Sequence, residues 1–150
     1  MIEKRTSSEE DTSHEYRVEA QIGHLLRRAH QRASSIFQSH FGDVQLTPTQ
    51  FAALAKLKDE KELSQNHLGR LTAMDPATIQ GVTRRLIDRG LVQTRADDND
   101  KRRMLLRLTE EGEKLTDSLF DTAALVTRKT LASLNDEEQR KILELLSKLA

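Results

Sequence analysis

Between Asp75 and Leu108 the chain reads DPATIQGVTRRLIDRG, then LVQTR, then ADDNDKRR, then MLLRL, and this order leaves it little choice of fold. Asp75 carries a short acceptor for the orphan amides of a first helical turn, Pro76 suits the first helical position, and Gly90 stands just past the last turn. Inside those limits Ile79, Val82 and Leu86 recur on one side, as a half-buried helix requires. The two runs that follow, Leu91 to Arg95 and Met104 to Leu108, are short and separated by turn-forming Asp and Asn. They predict a β-hairpin with a charged tip.

The flanking segments are helical by the same tests. Ser64 caps a short helix with Leu68 and Leu71 inward, and Thr47 with Pro48 starts another that turns Phe51, Leu54, Ala55 and Leu57 to one side. Tyr16 to Phe41 repeats apolar residues at three-and-four spacing, from Val18 and Ile22 to Ile36 and Phe37, which predicts one long helix. Thr109 opens another, reaching about Leu131, and a last helix over about Asp136 to Leu149 carries Ile142, Leu145, Leu146 and Leu149 in a stripe. The expected fold is therefore mainly α with a small β-hairpin wing, a single domain over residues 16–150 behind a flexible polar tail at 1–15. The apolar stripes at both ends exceed what one small domain must cover. A second copy of the chain disposes of them.

Composition closes several functional classes. The chain holds no cysteine, which removes disulfides, thiol redox sensing and cysteine zinc sites. No stretch approaches the roughly 18 apolar residues of a membrane span, and the polar start MIEKRTSSEEDTSHE is unlike a signal peptide, so a cytoplasmic protein without membrane contact is expected. Formal net charge is zero, yet Lys61 to Arg107 holds ten basic and six acidic residues, a local excess of +4. That is the footprint of a face that meets an anion. His14 and His67 lack partners at metal-ligand spacing, His30 and His40 lie near the apolar stripe as packing or interface residues, and no nucleophile, paired-acid or phosphate-loop pattern occurs. Neither a metal, a cofactor nor catalysis is expected.

Helix, turn, helix, strand, charged hairpin, strand is the order of a winged helix-turn-helix, whose second helix lies in the DNA major groove while the wing touches backbone or minor groove. On that helix the side away from Ile79 holds small Ala77 and Gly81, which permit close approach, with Thr78, Gln80, Arg84 and Arg85 as donors. Pro76, together with Ser64 and Gln65 at the start of the preceding helix, completes that part of the candidate DNA face. The wing adds Asp100, Lys101, Arg102 and Arg103. A carboxylate beside phosphate is useful if it holds a guanidinium, so Asp100 is expected to orient Arg102 through a two-bond fork. A winged fold also serves as a protein-interaction adaptor without sequence-specific DNA binding, and the residues alone leave that alternative open.

The blocks LTPTQFAALAKL, LSQNHLGRLTAMDPATIQGVTRRLIDRGLVQTR and DKRRMLLRLTEEG resemble, in the same order, those of the MarR (multiple antibiotic resistance regulator) family of bacterial transcription factors. The aspartate and arginine of that family's wing motif fall on Asp100 and Arg102. The resemblance implies a homodimer joined through helices at 16–45 and 109–150, with a DNA-binding region at 46–108. It further implies a pseudo-palindromic double-stranded operator and repression relieved by a small ligand. The segment IGHLLRRAHQRASSIF is similar to regulators of aromatic-carboxylate catabolism, of the nicotinate or benzoate kind, which implies an aromatic acid effector. Arg17, His24 and Arg28 share a helical face and are candidates for its carboxylate and hydroxyl, with Phe51 as a ring surface.

Overall fold

The structure is a computed structural model that describes residues 15–150, so the expected tail, Glu15 apart, and with it His14, falls outside the described residues. A 3-10 turn at Val18–Ala20 leads into α1 (Ile22–Phe41), followed by a second 3-10 turn at Gly42–Val44 and α2 (Pro48–Glu60). Then come β1 (Leu63–Ser64), α3 (Gln65–Leu71), α4 (Pro76–Asp88), β2 (Val92–Ala96), β3 (Met104–Leu108), α5 (Glu110–Thr130) and α6 (Asp136–Leu149).

Local chemistry sets most of these limits. Thr47 and Gln50 form a reciprocal capping box at the start of α2, and Asn135 with Glu138 does the same for α6. The single long helix expected from Tyr16 is interrupted: Gln21 is extended, with no side-chain cap, and α1 begins only at Ile22. Apolar spacing alone does not reveal such a break, and no residue of the 3-10 turn is buried.

The strands form one antiparallel sheet in the order β1-β3-β2, with Leu63 opposite Leu106 and Val92 opposite Leu108. Leu54, Leu57, Leu68, Ile79, Leu86, Leu91 and Leu106 are buried beneath it in one continuous core that reaches Phe37 and Phe41 on α1. Leu71, expected inward, is 42% exposed; the buried neighbour is Gly69, where an added Cβ would meet Ile79 Cγ2 at 3.2 Å. A two-turn helix that lies this close to α4 needs a missing side chain at the crossing, and that crossing selects which residue turns inward.

Gly112 marks the closest backbone approach at any glycine of the fold. A Cβ there would stand 2.0 Å from the Leu91 carbonyl oxygen, which itself accepts from the Thr109 amide at 3.0 Å. The start of α5 is thus held against the root of the wing, and Thr109, the α5 cap, also donates from its hydroxyl to the Gly90 carbonyl at 2.6 Å. The ends of the chain pack differently. Helix α6 contains no buried residue, and Leu143, Leu145 and Leu149 are exposed, as are Ile22, Leu25 and Leu26 on α1. Burying one such side chain contributes about 1.5–3 kcal/mol, so this surface is a strong driving force for association.

Candidate nucleic-acid interface

Helix α4 is fastened to the body by one face and free on the other. Ile79, Val82, Thr83 and Leu86 are buried, and the Thr83 hydroxyl reaches Gln65 Oε1 at 2.8 Å, tying α4 to α3. The angle between the two helices is therefore fixed by a hydrogen bond as well as by apolar packing. On the outer face Pro76, Ala77, Thr78, Gln80, Arg84 and Arg85 are all exposed. Gly81 sits among them with no steric demand from its own chain: a Cβ would meet only Arg85 Nη1 at 3.7 Å.

Asp75 caps α4, its Oδ1 accepting from the Thr78 amide at 2.8 Å. That backbone bond is the chief reason its pKa lies below the ordinary 3.8. A carboxylate thus occupies the helix start, and attraction for phosphate rests on side-chain guanidinium groups rather than on bare amides.

The wing tip is folded by its own acids. Asp97 Oδ1 accepts from the Asn99 amide at 2.9 Å and Asp100 Oδ1 from the Arg102 amide at 3.1 Å. The expected Asp100–Arg102 pair is present, but not as a fork: Nε alone meets Oδ1, at 3.4 Å. Asp100 spends that oxygen on the turn backbone first, and the guanidinium, 93% exposed, projects past it into solvent. Lys101 is likewise exposed.

The forked pair lies at the wing root. Arg95 on β2 gives Nε to Glu62 Oε2 at 2.7 Å and Nη2 to Glu62 Oε1 at 2.5 Å. Arg95 also reaches Asp98 at 3.5 Å. The hydrogen bonds from Arg95 hold the Glu62 carboxyl below its ordinary 4.5 and raise Arg95 in return. The result is a brace between the loop before β1 and the hairpin.

Arg103 differs from its neighbours. Its Nη2 donates to Ser64 Oγ at 3.0 Å, and Ser64, only 7% exposed, also caps α3 by accepting from the His67 amide at 3.3 Å. Ser64 and Gln65 thus spend their side-chain oxygens on orienting Arg103 and Thr83. Between α3 and the wing runs an open cleft of about 650 Å³ with Asn66 and Arg70 on one wall and Arg102, Arg103 and Met104 on the other. Sequence reasoning missed Asn66 and Arg70. Their four-residue spacing on a helix whose buried residues are Leu68 and Gly69 was the available signal.

The residues considered for an effector do not meet within one chain. His24 and Arg28 lie in the first turns of α1, where Arg27 Nη2 is 3.1 Å from His24 Nδ1, but Arg17 stands before the 3-10 turn, and the extended Gln21 between them breaks the single helical face expected for the three. Phe51 packs at the other end with its ring tilted or edge-on to its neighbours, its centroid 5.1 Å from Phe41, 6.4 Å from Phe37 and 6.3 Å from Phe120. These are all four phenylalanines of the chain. From His24 to Phe37 the helix rises about 20 Å. Among the described residues no group of three His, Cys, Asp or Glu could hold a metal ion, and no helix is long and apolar enough to cross a membrane.

Comparison with known proteins agrees with this geometry. The sequence pattern of the MarR family matches residues 44–103. The HTH-type transcriptional repressor NicR of Pseudomonas putida is 43% identical over 134 residues, which is 89% of this chain and 85% of that protein. BpsR of Bordetella bronchiseptica, whose DNA binding is regulated by 6-hydroxynicotinic acid, superposes with a TM-score of 0.86 at 39% identity, covering 89% of this chain and 96% of that one. PcaV of Streptomyces coelicolor, in complex with its natural ligand, superposes with a TM-score of 0.84 at 32% identity, covering 89% and 94%.

Proposed function

The chain belongs to the MarR family, and from that premise we propose that it is a homodimeric, cytoplasmic transcriptional repressor that binds a pseudo-palindromic operator and is released by a small aromatic carboxylate. One observation carries the DNA part. Ala77, Thr78, Gln80, Arg84 and Arg85 are exposed on the single side of α4 that packing leaves free, and Arg102 projects into solvent from a braced wing. Helix α4 enters the major groove with Gln80 toward base edges, Thr78, Arg84 and Arg85 toward the phosphate backbone, and Pro76, Ala77 and Gly81 giving close approach. Lys101 and Arg102 with Asp100 meet the adjacent minor groove or backbone, and Arg103, held by Ser64, faces phosphate across the cleft from Gln65.

The exposed apolar residues of α1 and α6 form the dimer seam in this reading, with residues 16–45 and 109–150 as dimerisation helices and 46–108 as the DNA-binding region. Two-fold symmetry then sets the two α4 helices about one DNA turn, roughly 34–36 Å, apart. The relatives' ligands motivate the effector class, 6-hydroxynicotinic acid being the one named. An effector held by both Arg17, His24 or Arg28 and Phe51 needs two subunits, the head of α1 from one lying over the aromatic cluster of the other. A ligand bound there alters the spacing of the α4 helices and so favours the free state.

The test is a mobility-shift assay with the DNA upstream of the protein's own gene, across a salt series and with 6-hydroxynicotinate, nicotinate and benzoate added. Expected are a discrete complex that weakens steeply with salt and is released by at least one acid. A protein that shifts no such fragment at low salt is an adaptor instead; one that binds but ignores every acid refutes the effector and leaves the repressor.

A further inference from the structure

Arg89 is the last residue of the α4 region, its amide donating to the Arg85 carbonyl at 3.1 Å, and no part of the DNA face described above uses it. Its guanidinium turns back across the molecule to the elbow that follows α1. Nη2 donates to the Val44 carbonyl at 2.8 Å and Nη1 to the Gln45 carbonyl at 2.9 Å. Those residues are 44 and 45 positions earlier in the chain. The planar fork makes two parallel bonds to consecutive carbonyls, which fixes direction as well as distance.

The elbow is an unusual place to hold. Gln45 adopts φ 53° and ψ 41°, the left-handed region that a residue with a side chain rarely enters. On either side Phe41 is fully buried and Leu46 is 3% exposed, so the elbow cannot swing free of the core. Helix α1 packs chiefly on α5, and α4 on α2, α3 and β2; Arg89 joins the exit of α1 to the end of α4 directly. A guanidinium at that end also complements the negative end of the α4 dipole.

We propose that Arg89 is a positioning residue that couples the dimerisation helix α1 to the recognition helix α4 and so sets the half-site spacing the dimer accepts. The proposal deepens the repressor reading and rests on it. A shift of the α1 exit carries the two carbonyls with it, and the fork transmits that shift to α4 instead of letting the helix end slide. With the fork removed, each α4 still presents Gln80 and Arg84, but its orientation relative to the two-fold axis is looser.

The test uses the full chain and the palindrome that footprinting locates upstream of its own gene. Wild type, Arg89→Ala and Arg89→Lys are compared on that operator, on versions with one base pair added or removed at the centre, and on an isolated half-site. One base pair rotates a half-site by about 34–36°. Wild type is expected to discriminate sharply, and Arg89→Ala to lose about fivefold or more of that discrimination while its half-site affinity stays the same. Arg89→Lys, which keeps the charge but not the fork, falls between and serves if the alanine chain does not fold. Hydrogen exchange at the Gln45 and Leu46 amides accelerates in both. An unchanged spacing profile, or equal loss on half-site and full operator, overturns the coupling role. Wild type that binds no DNA overturns the repressor reading, and the coupling role with it.

Discussion

Arg84→Ala isolates the electrostatic part of DNA binding from everything else α4 does. Arg84 is exposed on the outer face, and among the described residues it has neither a hydrogen-bond nor an ion-pair partner. Its removal therefore leaves the fold within about 0.5 kcal/mol of the parent. A phosphate contact contributes about 0.9 to the slope of log K against log salt, and a symmetric dimer loses it twice, so the slope becomes shallower by about 1.8. Over a fourfold rise, from about 50 to 200 mM, the parent loses roughly twelvefold more affinity than the variant. Fluorescence anisotropy with a labelled operator at five or so salt concentrations measures both lines. A parallel line displaced downward by about 1–3 kcal/mol, with relaxed preference at one base pair, reassigns Arg84 to a base edge. A line superimposed on the parent's refutes the docking of this face on DNA.

Two further changes probe the scaffold. Gly112→Ala pushes a Cβ into the Leu91 carbonyl, 2.0 Å away, and neither backbone can yield without loosening the Thr109–Leu91 bond. Overpacking plus one weakened bond costs about 2–4 kcal/mol, hence a melting temperature lower by about 5–15 °C by circular dichroism, and an unchanged melt would contradict the contact. Glu62 titrates below its ordinary 4.5 because of Arg95, so its contribution to stability is complete above that value and disappears as pH falls through the depressed folded value. Urea midpoints followed downward from about pH 6 are expected to fall less steeply for Glu62→Gln than for the parent; identical acid limbs would show that the brace adds nothing.

Much of the fold is legible in the sequence because its signals act over a few residues. Thr47 with Pro48, Asp75 with Pro76, and Gly90 at φ 72° lie where caps and stops are needed, and α2 and α4 begin where those residues say they should. The outer face of α4 is legible for the same reason, since Ile79, Val82 and Leu86 define the inner one. The wing motif is visible as a pair, Asp100 and Arg102, while its geometry is not. Which oxygen Asp100 offers depends on the turn backbone, and that turn takes it before the guanidinium does.

The capped helix starts, the hairpin and the local basic excess follow from chain chemistry within about one helical turn, and for these the amino-acid order was sufficient, whereas the uncapped break at Gln21 ahead of α1 left no such mark. Tertiary structure alone decided β1, a two-residue strand that exists only because Leu105 and Leu106 lie alongside it. It alone decided the partners of the arginines, Arg95 with Glu62, Arg103 with Ser64 and Arg89 with Val44 and Gln45, each joined across 33 or more residues. A guanidinium on a long flexible stem reads the same in any exposed helix or strand; the docking of distant elements determines which carbonyl or carboxylate comes within its reach.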